Sequence, residues 1–456
     1  MRNVHLFQLG AGQFKRQVAV DGTTGAIHLL DEKAYALAQD WLQGKPLPDS
    51  PAGRELQTLV AEGVLGAPVD PVDTRLQQLL TTQAQGGIKA LCLNVAHDCN
   101  LACRYCFANR GHLTPGKRLM DERTAQEAVE FLLAHSKDRN PVEVDFFGGE
   151  PLLNWDVVAK TILFGERAAA KAGKELLFTL TTNGWDLDAE RIAFLKDHRV
   201  ALVLSLDGRR EVNDRMRRRG QESVYDRVVP RFRQLAAAVG EENYYLRGTY
   251  TAQNLDFLED VKHLLELGFR NLSLEPVVLP EDHPVALTEE HLAQVRDEYQ
   301  RLAEHYLEHA LKGEPYRFFH FELDLEGGSC VSKRVSGCAA GTEYFAVAPA
   351  GELYPCHQLV GQREFLLGSV TQGITRPDIG GSMAACNILT KEECKQCWAR
   401  FYCGGGCHAS AWNYNRNLER PHGLSCKLQQ LRLEYAIYVQ AILAEAGIVG
   451  HGDRFR

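Results

Sequence analysis

The chain has 456 residues, of which 45 % are apolar and 24 % charged, and its formal net charge is −8. This is a globular composition long enough for two or three domains, and its acidic balance excludes a general nucleic-acid binder, whose domain would be basic. No run of eighteen apolar residues and no signal-peptide order at the N-terminus are present, so a cytoplasmic protein without a membrane partner is expected. There the thirteen cysteines would be metal ligands, reactive thiols or core residues rather than disulfides.

In chain order, strands are expected at His5–Gly10, Phe14–Val20 and Ala26–Leu30. A helix follows over Asp31–Trp41, with Asp31 at its N-cap and Gly44 and Pro46 ending it, and a second spans Glu55–Glu62. They form a small module without cysteine inside a first domain of residues 1–85. Its plain reading is a packing domain. A sheet of this kind with a free edge can also bind an extended peptide by strand addition.

From Ile88 the pattern alternates. Strands are expected at Lys89–Val95, Val142–Phe147, Leu176–Thr182, Ala201–Leu206, Tyr245–Thr251 and Asn271–Val278. Helices are expected at Asp121–Ser136, Trp155–Ala172, Asp188–Asp197, Ser223–Val239, Asp256–Leu267 and Thr288–Leu311. Six strand–helix units in a row, within residues 86–312, imply an α/β fold with a parallel sheet, open or rolled into part of a barrel. The C-terminal ends of its strands should hold the site.

Those ends are chemically rich. The first leads to Cys99, Cys103 and Cys106 in a C-x3-C-x2-C loop. So short a loop does not easily pair its cysteines into relaxed disulfides. It can wrap an iron–sulfur cube and leave one iron without a protein ligand. A structural zinc ion is the plainer alternative, but zinc normally takes four ligands. The next ends carry Gly148-Gly149-Glu150-Pro151, Asn183-Gly184, Ser205-Leu206-Asp207-Gly208, Arg247–Thr251 and Glu275-Pro276. Adjacent glycines admit a ligand to the backbone, and the following Glu can accept from an ammonium group. Singly these are ordinary turns; in succession above three cysteines they mark a site. The basic run Arg215, Arg217, Arg218 and Arg219 reads as a solvated loop, or as a rim that contacts a phosphate or an acidic peptide.

The cysteine loop after the first strand, with G-G-E-P after the second, resembles the radical S-adenosylmethionine (SAM) enzymes, whose core is a partial (β/α)6 barrel. The resemblance implies a four-iron four-sulfur cluster on Cys99, Cys103 and Cys106, with SAM chelating the open iron through its amino and carboxylate groups. It places Gly148, Gly149 and Glu150 at the methionine amino group and Ser205 with Asp207 near the carboxylate or ribose, with Asn183 and Arg247 among the cofactor contacts. Farther on, Cys338, Cys356, Cys394, Cys397, Cys403, Cys407 and Cys426 resemble the SPASM extension of peptide-modifying members, here over residues 313–456. Two auxiliary four-iron four-sulfur clusters are implied, three in all. Cys394, Cys397, Cys403 and Cys426 would hold one. Cys338, Cys356 and Cys407 would hold the other, nearer the active site, with Cys330 or the substrate's own thiolate as fourth ligand. Gly404, Gly405 and Gly406 let backbone amides approach the sulfurs. Cys92 and Cys386 match no ligand position and read as structural thiols.

The runs A-H-D-C-N-L-A-C-R-Y-C-F, V-D-F-F-G-G-E-P-L, F-T-L-T-T-N-G and C-W-A-R-F-Y-C-G-G-G-C are similar to those of maturases of SCIFF (six cysteines in forty-five residues) ribosomal peptides. These begin with a winged-helix-like recognition element for the leader peptide. The resemblance implies a cysteine-rich precursor peptide as partner, bound through its leader as an added strand, and an electron donor such as ferredoxin or flavodoxin. The product would be a thioether between a cysteine sulfur and a carbon of another residue, Thr being one acceptor. No general acid or base is assigned; His357, beside Cys356, is the one candidate, against a histidine at the surface or behind the site. Two rivals stand: another radical oxidation, such as formylglycine formation, and a zinc-stabilised, non-catalytic peptide-binding adaptor.

Overall fold

Arg16–Asp21 (β2) is the central strand of an antiparallel meander, between Val4–Leu9 (β1) and Ile27–Leu30 (β3), in a computed structural model that describes residues 2–66, 86–108, 119–323, 325 and 335–448. Two helices cover it. Asp31 caps Glu32–Leu42 (α1), its carboxylate accepting from the Ala34 amide at 2.7 Å. Ser50 caps Pro51–Ala61 (α2) through the Gly53 amide at 3.1 Å. This second helix starts four residues earlier than expected, because Ser50-Pro51 is a cap followed by a proline at the first helical position. Ala19, Ala38, Trp41, Leu56 and Leu65 form the module's core.

The six expected parallel strands are present: Ala90–Ala96 (β4), Val142–Gly148 (β5), Leu176–Thr182 (β6), Ala201–Ser205 (β7), Tyr244–Tyr250 (β8) and Asn271–Pro276 (β9). Each pairs in parallel with the next in sequence. All seven residues of β4 are buried, while β5 buries only alternate residues, Val142, Val144 and Phe146. Between the strands run Glu122–His135 (α3), Trp155–Ala172 (α4), Ala189–Asp197 (α5), Arg210–Met216 (α6), Val224–Val239 (α7) and Phe257–Glu266 (α8).

The chain divides into two compact units made of discontinuous stretches. One joins Thr82–His291 with Ala339–Ala385; the other joins Met1–Thr81, Leu292–Cys338 and Cys386–Arg456. This division differs from three consecutive domains at 1–85, 86–312 and 313–456. Within the barrel unit, Tyr344–Val347 (β10) adds in parallel to the outer edge of β4, and Glu352–Tyr354 (β11) turns back antiparallel beside it. In the other unit, Leu292–Leu311 (α9) lies against Gly423–Glu445 (α10). Every residue of α10 from Leu433 to Leu443 is buried, as befits a helix at the centre of its unit. Two of its polar side chains are matched there: Gln440 donates to the Phe321 carbonyl at 2.6 Å, and Glu434 meets Arg296 at 2.7 Å. Among the described residues no helix is long and apolar enough to cross a membrane.

Candidate functional site

β4 delivers the chain to the cysteine loop, and neighbouring strand ends fix that loop in place. The Ala102 amide donates to the Arg218 carbonyl at 2.7 Å and the Arg104 amide to that of Met216 at 2.9 Å. The Tyr105 hydroxyl reaches the Asp207 carboxylate at 2.7 Å, and the Arg217 guanidinium donates to the same group at 3.0 Å. The Arg217 guanidinium also lies 5.6 Å from the centre of the Tyr105 ring. Asp207 is wholly buried and Arg217 nearly so.

Two expectations change here. Arg217 is no solvated loop residue: with α6 before it, it turns inward to neutralise Asp207, while Arg215 and Arg218 remain exposed. Asp207 does not line the cavity, since its oxygens serve Tyr105, Arg217 and the Thr249 amide at 3.0 Å. It braces the cysteine loop instead of offering itself to a ligand hydroxyl.

The two glycines of G-G-E-P also have a packing role. A side chain on Gly148 would collide with the Ala96 carbonyl, and one on Gly149 with that of Asp98. The turn is therefore laid directly on the entry to the cysteine loop, where the Gly149 amide donates to Ala96 at 2.7 Å and that of Glu150 to Asp98 at 2.9 Å. Glu150 is 1 % exposed and accepts from Leu152 N (3.0 Å), the Thr182 hydroxyl (2.7 Å) and Asn183 N (2.8 Å). Burial outweighs these bonds and pushes its carboxyl up to about 7. The Asn183 side chain bridges to Asn100 at 2.8 Å.

These groups surround one cavity of about 270 Å³. Cys99, Cys103 and Cys106 form one wall; Gly148, Gly149, Glu150, Asn183, Ser205, Arg247 and Glu275 belong to the others. His357 lines it as well, half-buried. Its ring sits 4.8 Å from Phe147 and 5.9 Å from Phe107, with Nδ1 3.3 Å from the Tyr344 hydroxyl. Burial in that wall, with the charge of Arg247, pulls His357 down to about 4, so the imidazole is neutral at pH 7. Burial pushes Cys99 up to about 12 and Cys103 to about 11. Such thiols ionise when a cation takes the place of the proton. Arg217 also faces the cavity, and its Nε is buried without a hydrogen-bond partner.

A second thiol site lies in the other unit. Cys394, Cys397, Cys403 and Cys426 line a cavity of about 110 Å³. Cys426 comes from the first turn of α10, and the other three from the short turns of residues 392–403. Gly404, Gly405 and Gly406 adopt φ of +72°, +91° and +76° in succession, a path closed to most other residues, and the amides of Gly405 and Gly406 donate toward Cys403. Gln430 donates to the Cys397 sulfur at 3.3 Å, and buried Lys391 holds the Gly405 carbonyl at 2.9 Å. Burial, reinforced by the neighbouring thiols, raises Cys426 to about 12. Among the described residues no three His, Cys, Asp or Glu side chains converge on one point as a single ion requires. Thiols spread around a cavity fit a larger body, such as an iron–sulfur cube.

The remaining cysteines are dispersed. Cys338 and Cys407 are exposed and belong to the unit of the four-thiol site, where the chain at Gly337 runs beside the Gly404 and Gly406 carbonyls. Cys356 is buried in the barrel unit, its sulfur accepting from the Gln358 amide at 3.4 Å. Cys330 lies outside the described residues. Cys92 is buried on β4, where burial pushes its thiol well up, and Cys386 is buried with its carbonyl accepting from His408 at 2.9 Å. Sequence reading gave Tyr105 and Tyr344 no role in the site and took Arg217 only as part of a basic run; the aromatic between two cysteines was the local signal.

Residues 93–286 match the Radical SAM superfamily, and the chain therefore carries a radical SAM domain. An uncharacterised protein of Methanocaldococcus jannaschii is 28 % identical over 192 residues, 41 % of this chain and 63 % of that protein, less than two thirds of its length. A serine-type anaerobic sulfatase-maturating enzyme of Klebsiella aerogenes is 23 % identical over 343 residues, 70 % of this chain and 79 % of the enzyme. The crystal structure of Streptococcus suis SuiB bound to the precursor peptide SuiA shares the fold with a TM-score of 0.54 at 15 % identity, covering 93 % of this chain and 99 % of SuiB.

Proposed function

We propose that the chain is a radical SAM enzyme that modifies a peptide, and that it joins a cysteine sulfur to a carbon of another residue as a thioether in a cysteine-rich ribosomal precursor. The observation that carries the radical SAM part of this reading is the cavity at the strand ends, lined by three thiols of one loop and by Glu150 around a space of about 270 Å³. With a four-iron four-sulfur cluster and SAM bound, such a site supplies a carbon-centred radical able to take hydrogen from an unactivated C–H bond.

The chain's own residues bind, orient and shield. Cys99, Cys103 and Cys106 hold the cluster, and Glu150 accepts from the methionine ammonium. Ser205 and the unpartnered Nε of Arg217 serve the carboxylate. Phe107, Phe147 and Val277 make an apolar wall that keeps water from the reacting carbon. His357 is kept neutral and held by Tyr344 as a polar group on the same wall. Cys394, Cys397, Cys403 and Cys426 would hold an auxiliary cluster. The N-terminal module takes the leader along β3, whose outer edge no other strand covers among the described residues. Ferredoxin or flavodoxin supplies electrons.

The sulfatase-maturating relative keeps formylglycine formation as the second reading. Anaerobic turnover of a cysteine-rich precursor peptide with SAM separates the two. A thioether removes two hydrogens per link and leaves that cysteine resistant to alkylation; formylglycine introduces an aldehyde that a hydrazide probe captures. A colourless, iron-free protein after anaerobic purification would defeat both and favour a zinc-held adaptor.

A further inference from the structure

Five residues separate Cys397 from Cys403, and four of them touch the N-terminal module of the same unit. The Trp398 ring stacks on His5 of β1, with centroids 4.4 Å apart and planes 9° from parallel. Arg400 donates to the Thr23 carbonyl at 3.2 Å, and the Tyr402 hydroxyl to that of Gly25 at 2.6 Å. Phe401 lies against Gly25, where a Cβ would stand 3.5 Å from its ring. Thr23 and Gly25 belong to the turn that joins β2 to β3, and Gly25 turns there at φ +79°. α10, which carries Cys426, grips β1 as well, its Glu434 accepting from His5 at 2.8 Å. The segments that supply all four thiols are thus held in register either by one another or by this module.

We propose that filling of the four-thiol site holds the N-terminal module in the shape in which β3 accepts a peptide strand, so that peptide capture depends on iron–sulfur occupancy. This rests on the peptide-modifying function proposed above. The physical basis is linkage. A body bound by four thiolates fixes the path from Cys397 to Cys403, and the free energy of that binding is available to whatever the path supports. It supports the β2–β3 turn through two hydrogen bonds and a ring contact, and β1 through a stacked pair. Coupling of this kind is reciprocal, so a strand added to β3 also tightens the four-thiol loop.

The test uses the full chain loaded with iron and sulfide. Backbone hydrogen exchange over residues 16–30 is compared among the wild type, a Cys403→Ala variant and an Arg400→Gln/Tyr402→Phe double variant that keeps all four thiols. Exchange about tenfold faster in both variants is expected, with β5 to β7 unchanged. The double variant keeps the test decisive if Cys403→Ala fails to fold: retained iron with unchanged exchange over residues 16–30 overturns the proposal. The second readout is affinity for the cysteine-rich precursor peptide used for turnover, expected to weaken about tenfold in the double variant; unchanged affinity overturns the gating. A wild type that binds no such peptide would instead refute the proposed substrate, and the exchange result would still decide the coupling.

Discussion

The two thiol sites solve opposite problems with the same side chain. At the barrel rim one loop supplies all three thiols, other strand ends brace it, and the remaining walls combine polar groups with the apolar side chains of Phe107, Phe147 and Val277. In the other unit four thiols from two segments close on a cavity less than half as large, backed by glycine amides, Gln430 and Lys391. An incomplete ligand set with room beside it suits chemistry, whereas a complete and enclosed set suits support or electron storage.

The largest expected effect tests that contrast directly. Cys99→Ala should abolish turnover and SAM binding yet leave the absorbance of the four-thiol site, whereas Cys403→Ala should leave SAM binding intact; equal loss of SAM binding in both would erase the distinction. Next comes Arg217→Met, which strips a buried carboxylate of its cation. It should destabilise the barrel unit by about 3–5 kcal/mol in denaturant unfolding, far more than Arg218→Met, since Arg218 is exposed. The smallest effect is a pH dependence. A cationic ammonium binds ionised Glu150, so with that carboxyl at about 7 SAM affinity should fall about tenfold per pH unit below 7 and level off above it. Calorimetric titration from pH 5.5 to 8.5 reads this, and Glu150→Gln should flatten the profile.

Much of the fold was legible because its periodicity is strong and local. Trp155–Ala172 and Leu176–Thr182 fall where apolar spacing placed them, and the thiols expected to share a cluster line a common cavity in the two sets just compared. What failed was long-range. Nothing near Tyr344 says that it pairs with Ala90, and a stretch of consecutive arginines reads as solvated because charge runs usually are. Only closure of the loop after β7 brings Arg217 back to Asp207. The two glycines were read as ligand-facing because their collision partners, Ala96 and Asp98, sit on a different strand's exit.

The pairing of β10 with β4 bears on the order of assembly. β4 emerges early in synthesis, but its second neighbour follows roughly 250 residues later. Until then the strand that carries the cysteine loop has an uncovered edge, and its thiols stand on a scaffold still lacking one side. Cluster insertion is best timed after that edge closes. Oxygen exposure before closure would therefore cost the cell more active enzyme than the same exposure afterwards, which a pulse of air during and after synthesis would reveal.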